Sequence, residues 1–163
     1  MKFLITIKHW QLFLFLTIYG FWPFESSLFN SIKYLGIALF VLWAFAIGYY
    51  GQKELTRLNL KGNNLYGIVS CLIFILLTLI TSKFYKEFPL ELYRLADHFL
   101  PILILIALIA ALYIFFFAAK TLAKIEFKDD VVFDDYFSNF LLIGIPIIGI
   151  WTLQPKINRL MHA

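Results

Sequence analysis

The sequence predicts an all-α integral membrane protein: four transmembrane helices followed by a C-terminal broken or re-entrant helical hairpin. Three observations lead there. Of 163 residues 62% are hydrophobic and only 15% charged, with a mean hydropathy of +0.84, outside the range of soluble domains. The apolar residues gather in runs long enough to cross a bilayer, with the charges between them. The last such run, FLLIGIPIIGIW, carries Gly144, Pro146 and Gly149, so it is apolar and interrupted at once.

A helix rises about 1.5 Å per residue against about 30 Å of hydrocarbon, so roughly 18 to 22 apolar residues cross. The first span covers about residues 10–23, extended toward Phe3 if Lys8 snorkels, with Trp10, Tyr19 and Trp22 suited to the interfaces. Its start is basic like that of a signal peptide. Lys8, His9 and Gln11 interrupt the apolar region and no small-residue cleavage pattern follows, so the segment is expected to be retained. The second, third and fourth spans are Tyr34–Gly51, Leu65–Ser82 and Phe99–Ala119. Residues 52–64, QKELTRLNLKGNN, form a short basic connection ending in a turn signal. Between spans three and four, Pro89 sits at a helix start. Leu92, Leu95, Ala96 and Phe99 then recur at helical spacing opposite Glu91, Arg94, Asp97 and His98, the pattern of a short amphipathic helix on the membrane surface.

After the fourth span Lys120, Lys124 and Lys128 continue a helix with one basic face. Phe133, Tyr136, Phe137 and Phe140 then repeat at i, i+3, i+4 and i+7 against Asp134, Asp135, Ser138 and Asn139. From Phe140 to Leu153 a helix is about 21 Å long, too short to cross. Drawn back to Tyr136 it would make a fifth span, the alternative architecture. Two arguments favour the hairpin, about residues 133–160. Pro146 removes a backbone donor and the flanking glycines let the chain turn. With the N-terminus cytoplasmic, the hairpin brings Lys156 and Arg159 to the side of Lys2, Lys8, Lys53, Arg57, Lys61, Lys120, Lys124 and Lys128, as the positive-inside rule prefers.

The chemistry is sparse. The net charge of +4 is dispersed between apolar runs and suits membrane orientation rather than nucleic-acid binding. The single cysteine, Cys71, excludes an intrachain disulfide. Spans two to four carry no ionisable Asp, Glu, Lys, Arg or His, which speaks against an ion-coupled transporter with a midplane site. Their Ser70, Thr78 and Thr81 read as donors to backbone carbonyls one turn back or to a neighbouring helix. Asp129, Asp130, Asp134 and Asp135 are the candidate metal ligands, since carboxylates at i and i+4 share a face and hard oxygens suit magnesium or calcium. Their spacing fits no EF-hand loop, and a solvated polar face paired with Lys124 and Lys128 is the simpler reading. Asp97 and His98 are adjacent and do not share a helix face, as Arg94 and His98 do, so they make only a weak acid–base pair, and an interfacial polar face is the simpler reading. Small residues at i and i+4, Ala44 and Gly48, Gly67 and Cys71, Ala107 and Ala111, mark close approach of helices.

The stretches FAAKTL from Phe117, DDYFSNF from Asp134 and PIIGIWTLQPKIN from Pro146, with KHWQ from Lys8, resemble a group of small uncharacterised polytopic membrane proteins of Bacteroidota. The resemblance implies the bacterial inner membrane and carries over no activity, cofactor, catalytic residue or binding residue. The expectation is therefore a non-catalytic accessory or scaffolding subunit, in contact with lipid and with another membrane protein or its own copies. Phe133, Tyr136, Phe137 and Trp151 are the candidate partner contacts, although packing against the protein's own spans explains them equally well. A homo-oligomeric channel or transporter is the alternative, with a divalent-ion-dependent membrane enzyme third.

Overall fold

The computed structural model describes residues 8, 11, 13–14, 27–62, 65–87 and 90–162. Among them the chain forms five helices and no strand: α1 (Ser27–Arg57), α2 (Leu65–Glu87), α3 (Leu90–Phe127), α4 (Phe133–Gly144) and α5 (Pro146–His162). The protein is all-α. The first expected span, 10–23, lies outside the described residues except for Gln11, Phe13 and Leu14, which are helical.

The helices outrun the apolar segments that predict them. α1 continues past Gly51 through the helix-forming residues Lys53, Glu54 and Leu55, and Arg57 in its last turn meets Glu54 at 3.5 Å. It ends where Asn59 adopts φ 58°. There Asn59 N–H donates to the Thr56 carbonyl at 3.1 Å and Leu60 N–H to the Leu55 carbonyl at 2.9 Å, a Schellman motif that satisfies two otherwise orphaned carbonyls. The connection to α2 is thus shorter than residues 52–64.

α3 corrects a second expectation. The segment 90–98, read as a separate surface helix, is joined without a break to the fourth span, and Pro101 lies inside the resulting 38-residue helix. Pro101 costs one backbone bond, to the carbonyl four residues earlier, while its fixed φ suits helix on the C-terminal side. Within α3 the stretch Phe99–Phe127 is long and apolar enough to cross a membrane by itself, and it alone meets that measure as a single helix among the described residues. The bent pair α4 and α5 meets it only if both halves count as one span.

α1 is the central helix. Trp43, Ala44, Ala46 and Ile47 are wholly buried, because α2, α3 and α5 all pack on it. The small-residue positions lie at these contacts, and one ring explains two of them. A methyl on Gly48 of α1 or on Gly67 of α2 would strike the ring of Phe117 on α3, the latter at 2.6 Å. Phe117 therefore fills a notch made by both glycines. Gly48→Ala and Gly67→Ala are each expected to destabilise by about 1–3 kcal/mol through overpacking. Phe117→Leu should recover most of that loss in either background, as read from thermal unfolding in detergent.

The outer faces of α2 and α3 are apolar as well. Leu72 and Leu76 on α2, and Ile102, Leu105, Leu108 and Ile109 on α3, are each more than half exposed. In α2, Thr78 Oγ1 donates to the Phe74 carbonyl at 2.7 Å, so the hydroxyl is satisfied one turn back within its own helix.

Candidate functional site

The distinctive geometry lies where α3 ends and the chain doubles back. Phe127 closes α3, Lys128 takes φ 55°, and α4 begins at Phe133. Asp135 sets that start: its Oδ2 accepts from Val132 N–H at 2.9 Å, the carboxylate half of a capping box at the positive end of the helix. The aromatic face of α4 then meets a single ring on α3. Phe116 stacks on Phe140 with centroids 4.1 Å apart and also meets Phe133 at 6.1 Å and Tyr136 at 6.3 Å.

α4 stops because of Pro146. The residue before a proline is pushed out of the helical region, and Ile145 has φ −110° and ψ 85°. Pro146 then serves as the first residue of α5, where its missing N–H costs nothing, and Gly149 N–H closes the first turn onto the Ile145 carbonyl at 2.8 Å. The segments Phe133–Gly144 and Ile148–Leu160 are bent by 120° relative to each other across this break. Gly144 contributes open space only, with no positive φ and nothing within 4 Å of an added methyl. Gly149 is the tight position: a methyl there would fall on the backbone carbonyl oxygen of Leu142. That oxygen has lost its helical donor, since the residue four on is Pro146, so the Gly149 Cα–H directed at it supplies a weak replacement.

The return of α5 is fixed by polar contacts. Lys156 Nζ meets Glu126 Oε2 at 2.6 Å, and donates to Asn139 Oδ1 at 3.3 Å. One ammonium thus ties the last turn of α3, the middle of α4 and the second half of α5. Deeper in, Trp43 Nε1 donates to Gln154 Oε1 at 2.9 Å, and both residues are wholly buried. Gln154 in turn donates to Asn158 Oδ1 at 3.3 Å.

Beside the hairpin is a cavity of about 460 Å³ bounded by the end of α1, the α1–α2 connection, the start of α2, α3 and α4. Lys61, Lys120 and Lys124 line it, together with Tyr66, Tyr113 and Phe117. Lys124 is held by Asp130 Oδ1 at 2.5 Å and donates to the Lys61 carbonyl at 3.5 Å. Lys61 and Lys120 have no ion pair among the described residues. Gln52, 6% exposed, donates through Nε2 to Thr121 Oγ1 at 2.8 Å, while its buried Oε1 has no partner among the described residues.

These contacts place the four aspartates individually. Asp130 binds Lys124, Asp129 Oδ1 accepts from Asp130 N–H at 2.7 Å, and Asp135 caps α4. No three carboxylate, histidine or cysteine side chains converge as a metal site among the described residues. The bond to Lys124, its charge, and the nearby charges of Lys120 and Lys61 hold the Asp130 carboxyl below the usual carboxylate range. The pair is therefore intact above the ordinary aspartate pKa and is lost only as pH falls through the lowered value. Of the four candidate contact residues, Phe133, Phe137 and Trp151 remain 48%, 41% and 47% exposed after packing on the protein's own rings, Trp151 against Phe13. Tyr136 is half-buried and lines the cavity. The side chains of Arg94 and His98 lie outside the described residues.

Sequence reasoning missed the cavity and the Trp43–Gln154 bond. The signal available was the pair of glutamines, Gln52 and Gln154, each within a stretch that packs as core. No family model matches the chain, and no curated protein or solved structure matches it either.

Proposed function

We propose that this chain is a multi-pass protein of the bacterial inner membrane and acts, without catalysis of its own, as an accessory or scaffolding subunit of a larger membrane complex. Its spans are about residues 10–23, 34–51, 65–82 and 99–119, with a cytoplasmic N-terminus and a re-entrant hairpin formed by α4 and α5.

The observation that carries the membrane reading is the apolar outer surface: large apolar side chains stand exposed along the outer faces of α2 and α3, over an interior that is itself apolar. Water would leave that outer face unpaid for by any contact, whereas lipid or a partner helix covers it. The Lys156–Glu126 tie supports the hairpin, because it joins the second half of α5 to the last turn of α3, just before α4 begins. Half-exposed Phe133, Phe137 and Trp151 support a protein neighbour.

The test is the composition of the complex purified from its native membrane in a mild detergent. A stoichiometric second polypeptide is expected. A pure homo-oligomer would overturn the accessory reading in favour of the channel, which the interrupted backbone at Ile145 favours. Flux that falls in Pro146→Ala would then identify the hairpin as the permeation element.

A further inference from the structure

The cavity follows α3 from Tyr113 to Lys124, about 17 Å. Tyr113 and Phe117 lie toward the apolar span, and Lys120 and Lys124 at its end, where Lys61 arrives from the α1–α2 connection. One side of this space is therefore cationic and the other aromatic. The charges are not balanced internally: Asp130 neutralises Lys124, whereas Lys61 and Lys120 are exposed and have no ion pair among the described residues. On the wall, Gln52 keeps an oxygen buried and unpaired, against Gly62.

We propose that this cavity binds the phosphate of an anionic glycerophospholipid, with Lys61 and Lys120 on the phosphate oxygens and the start of the acyl chains over Tyr113 and Phe117. A free phosphate would satisfy the lysines alone. The aromatic half, continuous with half-exposed Tyr66 and Tyr113 and the apolar face of α2 and α3, selects a ligand with an apolar tail. Asp130, paired with Lys124, is then an internal anion that competes at the cationic end of the site. The lipid as source of the phosphate rests on the membrane reading above; recognition of phosphate does not.

Native mass spectrometry of the full chain in a neutral detergent tests this, with phosphatidylglycerol, phosphatidylcholine and inorganic phosphate as probes. Phosphatidylglycerol is expected to be retained in preference to zwitterionic phosphatidylcholine, with about fivefold weaker binding in Lys61→Gln and again in Lys120→Gln. Asp130→Asn is expected to tighten binding, an outcome that a misfolded variant does not produce. Unchanged phosphatidylglycerol binding in both lysine variants, or equal retention of phosphatidylcholine, would overturn the site. Displacement of the lipid by inorganic phosphate at comparable concentration would overturn the lipid as the source while keeping the phosphate contacts. Release of the chain from carbonate-washed membranes would instead overturn the membrane reading, and phosphate binding lost on Lys120→Gln would still be measurable on that released chain.

Discussion

Gly149→Ala is expected to unlock the C-terminal hairpin. The added methyl falls on the Leu142 carbonyl oxygen, and both groups belong to backbones fixed by their own helices, so no rotamer change relieves the clash. α4 and α5 must separate, which also removes Asn139 and Lys156 from each other's reach. Overpacking of this kind costs about 3 kcal/mol or more when only backbone can move. Gly144→Ala provides the contrast, since an added methyl there meets nothing within 4 Å and replaces glycine in a helix. It is expected to be neutral or to stabilise by about 0.5–1 kcal/mol. Unfolding in mixed SDS micelles compares the two, and equal stabilities would contradict the close crossing at Gly149.

Gln154→Leu is expected to cost about 1–3 kcal/mol, because it leaves the buried indole N–H of Trp43 without its acceptor. The cost lies in the orphaned donor more than in the lost bond. Trp43→Phe removes that donor, so the double variant should be less damaged than the sum of the singles, with a coupling of about 1–2 kcal/mol. Strict additivity in the same unfolding assay would show that the bond contributes nothing to docking α5 on α1.

Much of the helical layout is legible in the apolar runs. Residues 34–51, 65–82 and 99–119 each fall within one helix, and Phe133, Tyr136 and Phe140 turn the face that their spacing predicts toward α3. Helix ends were less legible. Hydropathy marks where lipid contact stops, whereas a helix stops where its backbone is capped, and so α1 runs to the left-handed Asn59. The break at Ile145 is readable from the proline rule, but the glycine that matters sterically is Gly149, and only the approach of Leu142 tells it from Gly144. The cavity was illegible for a different reason: Gln52, Lys61, Lys120 and Tyr136 come from four separate segments, and no local periodicity records their convergence. Trp43 and Gln154, 111 residues apart, escape for the same reason.

In the proposed topology α4 and α5 enter and return on one side of the membrane. The most direct measurement places single cysteines at Asp129 and at Ala163 in a Cys71→Ser background, with Lys86→Cys as the opposite-side reference, and labels intact cells with a membrane-impermeant maleimide. The hairpin predicts that positions 129 and 163 are protected or labelled together, and that position 86 behaves oppositely. Labelling of position 163 together with position 86, against position 129, would contradict it and make residues 133–160 a fifth span.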